Sequence, residues 1–177
     1  VPKPIIAGVN GAAAGLGLIL SLYCDIRFAS DAAKFTTAFS KRGLVAEHGI
    51  SWLLPRLVGF ANAADLLYSS RVITAAEALA MRLVSRVIPA ASFESELMAY
   101  AKMLASEVSP RSLREMKREI WHAQFQPWGE AIEAANAAAA SLRSAWDNVL
   151  ERLGIAGYVY GSASTYHVYF ETDPVRV

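Results

Sequence analysis

Through residue 89 the chain alternates short apolar runs with turn signals; beyond it, apolar positions recur at helical spacing. Residues 5–9 are apolar and largely β-branched, which predicts a buried strand. Asn10-Gly11 is a turn signal, and the glycine-rich stretch after it leads into a short helix over residues 15–23. Residues 25–29 and 34–37 read as strands, separated by a turn at Ser30-Asp31. Residues 39–51 form a loop with a helix start, because Gly43, His48 and Gly49 interrupt any period. Pro55 breaks the element over 53–59. Residues 61–69 are helical and 71–73 extended. Thr74-Ala75-Ala76-Glu77 is a capping box, so a helix begins there and ends near Leu83. Residues 84–88 return to strand before Pro89.

Residues 93–108 carry apolar positions at helical spacing. Ser109-Pro110 is an N-cap followed by proline at the first helical position, which predicts a helix over 110–124. Pro127 opens another helix, alanine-rich through residue 140 and continuing to residue 153. The tail over 154–177 changes character: 157–161 and 167–170 are aromatic-rich and read as two strands around a Ser/Ala/Thr turn.

Composition adds limits. The chain has 177 residues, 54% of them apolar, enough for one domain with a real core, with or without an appendage. A net charge of +1 gives no reason to expect a nucleic-acid partner. Residues 5–24 carry no charge, which raises the question of a membrane span. Against it stand the turn signal at Asn10-Gly11, the strand-like first part, and flanks (Lys3, Asp25) that are not strongly basic. No membrane association and no secretory signal are expected. The single cysteine, Cys24, has no internal disulfide partner and points to a reducing compartment, the cytoplasm; it reads as a buried structural thiol. His122 and His167 have no partner at metal spacing, and Trp121 and Trp128 read as core residues; no metal site is expected.

The glycine stretch carries the first candidate chemistry. A strand that runs through a glycine turn into a helix aims free backbone N–H groups at whatever sits above the helix mouth, a place for a developing negative charge. The alternative is a turn that only lets helix and strand pack closely.

Seven blocks follow one another in order. They are Lys3-Pro4-Ile5-Ile6-Ala7-Gly8-Val9-Asn10-Gly11, Gly15-Leu16-Gly17, Cys24-Asp25-Ile26-Arg27-Phe28-Ala29-Ser30 and Gly43-Leu44-Val45. Then come Leu54-Pro55-Arg56-Leu57-Val58-Gly59, Ile73-Thr74-Ala75-Ala76-Glu77-Ala78 and Leu83-Val84-Ser85-Arg86-Val87-Ile88-Pro89. This series resembles the enoyl-CoA hydratase/isomerase (crotonase) family, over residues 1–141. The resemblance implies an α/β fold with the spiral ββα core of the ClpP/crotonase type, lacking its N-terminal part and followed by C-terminal helices. Residues 1–89 would be the C-terminal part of that core, 90–141 a helical oligomerisation region and 142–177 a divergent tail. It further implies an acyl-CoA thioester as substrate, a lyase or isomerase reaction, no cofactor beyond the coenzyme A of the substrate, and a homotrimer or hexamer.

Site residues follow from the same resemblance. The Leu16 N–H would be an oxyanion donor, with Gly15 and Gly17 bordering the thioester. Leu16 stands where the family has glycine; the donor belongs to the backbone and survives, but the side chain must turn away. The family's other donor lies in a segment ahead of residue 1, and loss of one such donor costs about a hundredfold to a thousandfold in rate. The two carboxylates of the best-known hydratases fall at Ile19 and Phe39, both apolar. Glu47, in Leu44-Val45-Ala46-Glu47-His48-Gly49, resembles the acid that family isomerases place before the next helix. One base can take a proton from one carbon and return it to another, so double-bond migration suits a single carboxylate better than hydration does. The competing role for Glu47 is a cap or first-turn acid at a helix dipole.

Arg111, Arg114, Lys117 and Arg118 form a basic stripe, of which Lys117 and Arg118 are the candidates to meet the coenzyme A nucleotide; a solvated helix face is the alternative. Segments 142–148 and 160–168 weakly resemble a C-terminal piece of class III aminotransferases. They contain no lysine for a pyridoxal phosphate Schiff base. The rival reading of the whole chain is a catalytically inactive family remnant serving as an oligomerisation or interaction module.

Overall fold

The structure, a computed structural model, describes residues 2–162 and 165–170, with side chains through residue 157. The chain forms two compact units, residues 3–110 and 111–177.

In the first unit, the first four strands alternate between two sheets. β1 (Ile6–Val9) and β3 (Ile26–Ser30) run parallel in one sheet, Ala7 opposite Arg27, and β6 (Arg86–Ile88) adds to β3 in parallel. β2 (Ala12–Ala14) and β4 (Lys34–Thr36) run parallel in the other, closed by the antiparallel β5 (Ile73–Thr74). Helix α1 (Leu16–Leu22) returns the chain from β2 to β3, giving a ββα turn of the kind the resemblance implies. α2 (Ile50–Val58) and α3 (Phe60–Ser69) pack on each other, and α4 (Ala75–Ala80) leads to β6. α5 (Phe93–Ser106) lays Phe93, Leu97 and Tyr100 against Phe28 and Ile88. A Cβ on Gly8 would meet the end of the Leu97 side chain, which would have to shift to admit it.

The core comes from the apolar positions of these short elements: Leu18, Ile19 and Leu22 on α1, Phe28 and Phe35 on strands, Leu54 on α2. Two expectations need correction. β2 occupies what the sequence presents as a turn: three alanines carry little strand preference, and pairing with Lys34–Thr36 decides their conformation. Pro55 does not break its element but lies inside α2, where its carbonyl accepts from Gly59 N–H at 3.0 Å. The carbonyl that loses its helical donor to the proline ring is that of Ser51, an exposed residue that water can satisfy.

The second unit contains α6 (Pro110–Ala123), α7 (Trp128–Leu153) and an antiparallel hairpin, β7 (Gly157–Ser162) with β8 (Thr165–Phe170). The prolines mark both helix starts as expected: Pro110 is the first residue of α6 and Pro127 the N-cap of α7. The expected turn between the tail strands falls at residues 163–164, outside the described residues, as do 171–177 and the His167 side chain. Trp128 is 83% exposed, not a core residue.

Candidate functional site

Gly15, the N-cap of α1, has φ +51°, a left-handed value that an L side chain resists. Its N–H donates to Thr36 O at 3.1 Å across to β4, and its carbonyl accepts from Ile19 N–H. The Gly15 amide is therefore engaged inside the protein, and no side chain caps α1. Leu16 and Gly17 supply the first-turn amides of this helix, which have no acceptor within it. A Cβ at Gly17 would meet nothing within 4 Å, so close helix–strand packing does not explain that glycine. The Leu16 side chain turns outward, 56% exposed. Ile19 is buried in the core and Phe39 nearly so; neither position offers a carboxylate.

Glu47 sits in the loop between the 3-10 turn Ser40–Arg42 and α2. It is not the N-cap of α2, which is Gly49, and the first turn of α2 holds no acid. Its side chain is 46% exposed, with His48 Nε2 3.8 Å from its Oε2. Backbone bonds hold it locally: its N–H donates to Val45 O at 2.9 Å and its carbonyl accepts from Ile50 N–H at 3.2 Å. His48 and Gly49 follow with φ of +54° and +73°.

A groove of about 610 Å³ opens beside this loop. Leu44, Val45 and Ala46, the residues ahead of Glu47, line it together with Phe39, Ala63 and Leu67. Ser40, also in its lining, is tied to two buried hydroxyls, those of Thr37 and Ser70. Ser70 Oγ lies 2.7 Å from Ser40 Oγ and 3.1 Å from Thr37 Oγ1, and accepts from Ser40 N–H. This cluster pins the segment that carries Phe39.

Three side chains escaped the sequence reading. Tyr23, the C-cap of α1, donates its hydroxyl to His48 O at 2.6 Å. Arg27 is buried on β3 and donates to Leu83 O at 2.8 Å and Cys24 O at 2.7 Å. Burial pulls its guanidinium below the usual value, opposed by nearby Cys24 and Asp25. Ser70 is the third. Each binds a backbone carbonyl or hydroxyl distant in sequence, for which no local pattern exists. Cys24 is half-buried rather than buried, its Sγ 3.4 Å from Leu20 O.

In the second unit the basic stripe on α6 is partly neutralised. Glu115 pairs with Arg114 at 3.0 Å and with Arg118 at 2.8 Å. Arg118 also borders a small cavity of about 240 Å³ with His122 and Gln126. Among the described residues, no group of three or more His, Cys, Asp or Glu could hold a metal ion, and no helix is long and apolar enough to cross a membrane.

The sequence model of the enoyl-CoA hydratase/isomerase family matches residues 1–159, reaching through α7 and past the boundary at 141 expected above. Enoyl-CoA delta isomerase 2 of Rattus norvegicus is 38% identical over 128 residues, 69% of this chain and 33% of that protein. An enoyl-CoA hydratase/isomerase from Cupriavidus metallidurans superposes with a TM-score of 0.76 at 31% identity, covering 85% of this chain and 59% of that one. Another, from Pseudoalteromonas atlantica, has a TM-score of 0.65 at 41% identity, covering 67% and 48%. The chain spans between 32% and 42% of the length of the curated relatives it matches.

Proposed function

Because the chain belongs to the enoyl-CoA hydratase/isomerase family, we propose that it shifts the double bond of an enoyl-CoA thioester, with Glu47 as the single acid/base. The Glu47 carboxylate removes a proton from C2 of a 3-enoyl thioester. The electron pair moves onto the carbonyl oxygen, where the Leu16 N–H at the mouth of α1 stabilises the dienolate. Protonated Glu47 then delivers the proton to C4, the C3–C4 double bond becomes single, and a C2–C3 double bond forms.

One observation carries this reading: Glu47 is exposed and caps no helix, while Ile19 and Phe39 leave no second carboxylate at the positions hydration uses. Gly17 faces open space where a side chain would stand, whereas the Gly15 amide is spent on Thr36 and has no part in the oxyanion site. The apolar groove beside the Glu47 loop suits an acyl tail; ligand pockets commonly hold about 300–1,000 Å³. Lys117 and Arg118 on α6 are the cations proposed for the coenzyme A phosphates, Arg118 sharing its charge with Glu115.

The test is steady-state kinetics of isomerisation and of hydration, for wild type and Glu47→Gln. The reading expects isomerisation to dominate in wild type. Glu47→Gln should lower kcat by about 10²–10⁴-fold while leaving binding of a saturated acyl-CoA intact. Unchanged activity in that variant removes Glu47 from the mechanism. A wild-type chain that catalyses neither reaction favours the non-catalytic interaction module.

A further inference from the structure

We infer that Tyr23 is a positioning residue for the Glu47 carboxylate, its hydroxyl clamping the acid/base loop to the helix that carries the oxyanion amide. The inference rests on the role proposed above for Glu47. Tyr23 closes α1, the helix opened by Gly15 and Leu16. Its Oη lies 2.6 Å from the carbonyl of His48, the residue after Glu47 and twenty-five positions along the chain. One seven-residue helix thus ties the amide turn at its start to the Glu47 loop at its end.

The loop needs such a tie. The backbone of Glu47 bonds within its own segment, to Val45 and Ile50, and the two residues after it occupy left-handed backbone. Gly49 is fitted to the tyrosine as well: a Cβ there would stand 2.9 Å from the Tyr23 hydroxyl oxygen. His48, 3.8 Å from Glu47, shares the clamped peptide, so a shift at its carbonyl moves the carboxylate. Tyr23 is 48% exposed, and water can replace its hydroxyl at His48 O. Loss of the bond should therefore leave the fold standing and act on geometry, to which proton transfer is steeply sensitive.

Two variants and two readouts test this. Tyr23→Phe should lower kcat by about tenfold with KM within twofold of wild type. Amide hydrogen exchange over residues 44–50 should quicken while exchange in β1 and β3 stays unchanged. Gly49→Ala, which pushes against the hydroxyl, should cost more in the tyrosine background than in the phenylalanine one, so the double variant is less than multiplicative. The inference is overturned if Tyr23→Phe keeps wild-type kcat, if loop exchange is unaltered, or if the two substitutions act independently. If Glu47→Gln keeps full activity, the acid/base assignment fails instead; the exchange experiment still decides whether the clamp exists.

Discussion

The two units bury their apolar residues to very different degrees. In the first, Leu54 is fully buried and Phe35, Leu18 and Ile73 are 1% exposed. In the second, α6 has no buried residue at all, Ile120 is 65% exposed and Trp128 83%. Yet α6 has the clearer division into apolar and charged faces along its sequence. Amphipathic spacing says which side of a helix is apolar; it does not say that anything covers it. The first unit draws its packing from strands and helices that interleave, the second from a long helix whose buried side chains are Ala138, Ala139 and Leu150.

That contrast orders the expected effects of substitution. Leu54→Ala removes a fully buried side chain and should cost about 2–5 kcal/mol in urea denaturation. Ile120→Ala, equally drastic on paper, should stay within about 0.5 kcal/mol; a large loss there would show that α6 is covered after all. Between them lies the capping box at α4, where Thr74 Oγ1 accepts from Glu77 N–H and Glu77 Oε2 accepts from Thr74 N–H. Thr74→Ala should cost about 1 kcal/mol.

The same box yields a pH dependence. The Thr74 backbone N–H, and then Arg71, hold the Glu77 carboxyl below its ordinary value. A depressed acid contributes stability in full above its unfolded value and loses it as pH falls through the folded one. The gap in Tm between wild type and Glu77→Gln should be widest near neutral pH and close on acidification below the ordinary carboxylate range. A gap independent of pH would mean the charge plays no part.

Much of this was legible in the sequence. Thr74 and Glu77 at capping-box spacing, Pro110 and Pro127 at helix starts, and the ordered blocks from Lys3 to Pro89 encode local geometry that the structure contains. The failures share a physical cause. Ala12–Ala14 becomes a strand because β4 lies beside it, and Pro55 stays in α2 because the carbonyl it orphans belongs to an exposed residue, Ser51. Leu16 and Glu47 stood out by their place in family-like blocks. Tyr23 did not, because a hydroxyl inside an apolar run gives no hint of a carbonyl far along the chain.

The central claim is that one carboxylate, Glu47, carries a proton between two carbons of the thioester. The most direct measurement follows deuterium in a 3-enoyl-CoA labelled at C2 and turned over in ordinary water. A single base that picks up and returns the same proton should leave part of the label at C4 of the product, and Glu47→Gln should abolish the transfer. Product free of label at C4, formed as fast by Glu47→Gln as by wild type, would contradict it.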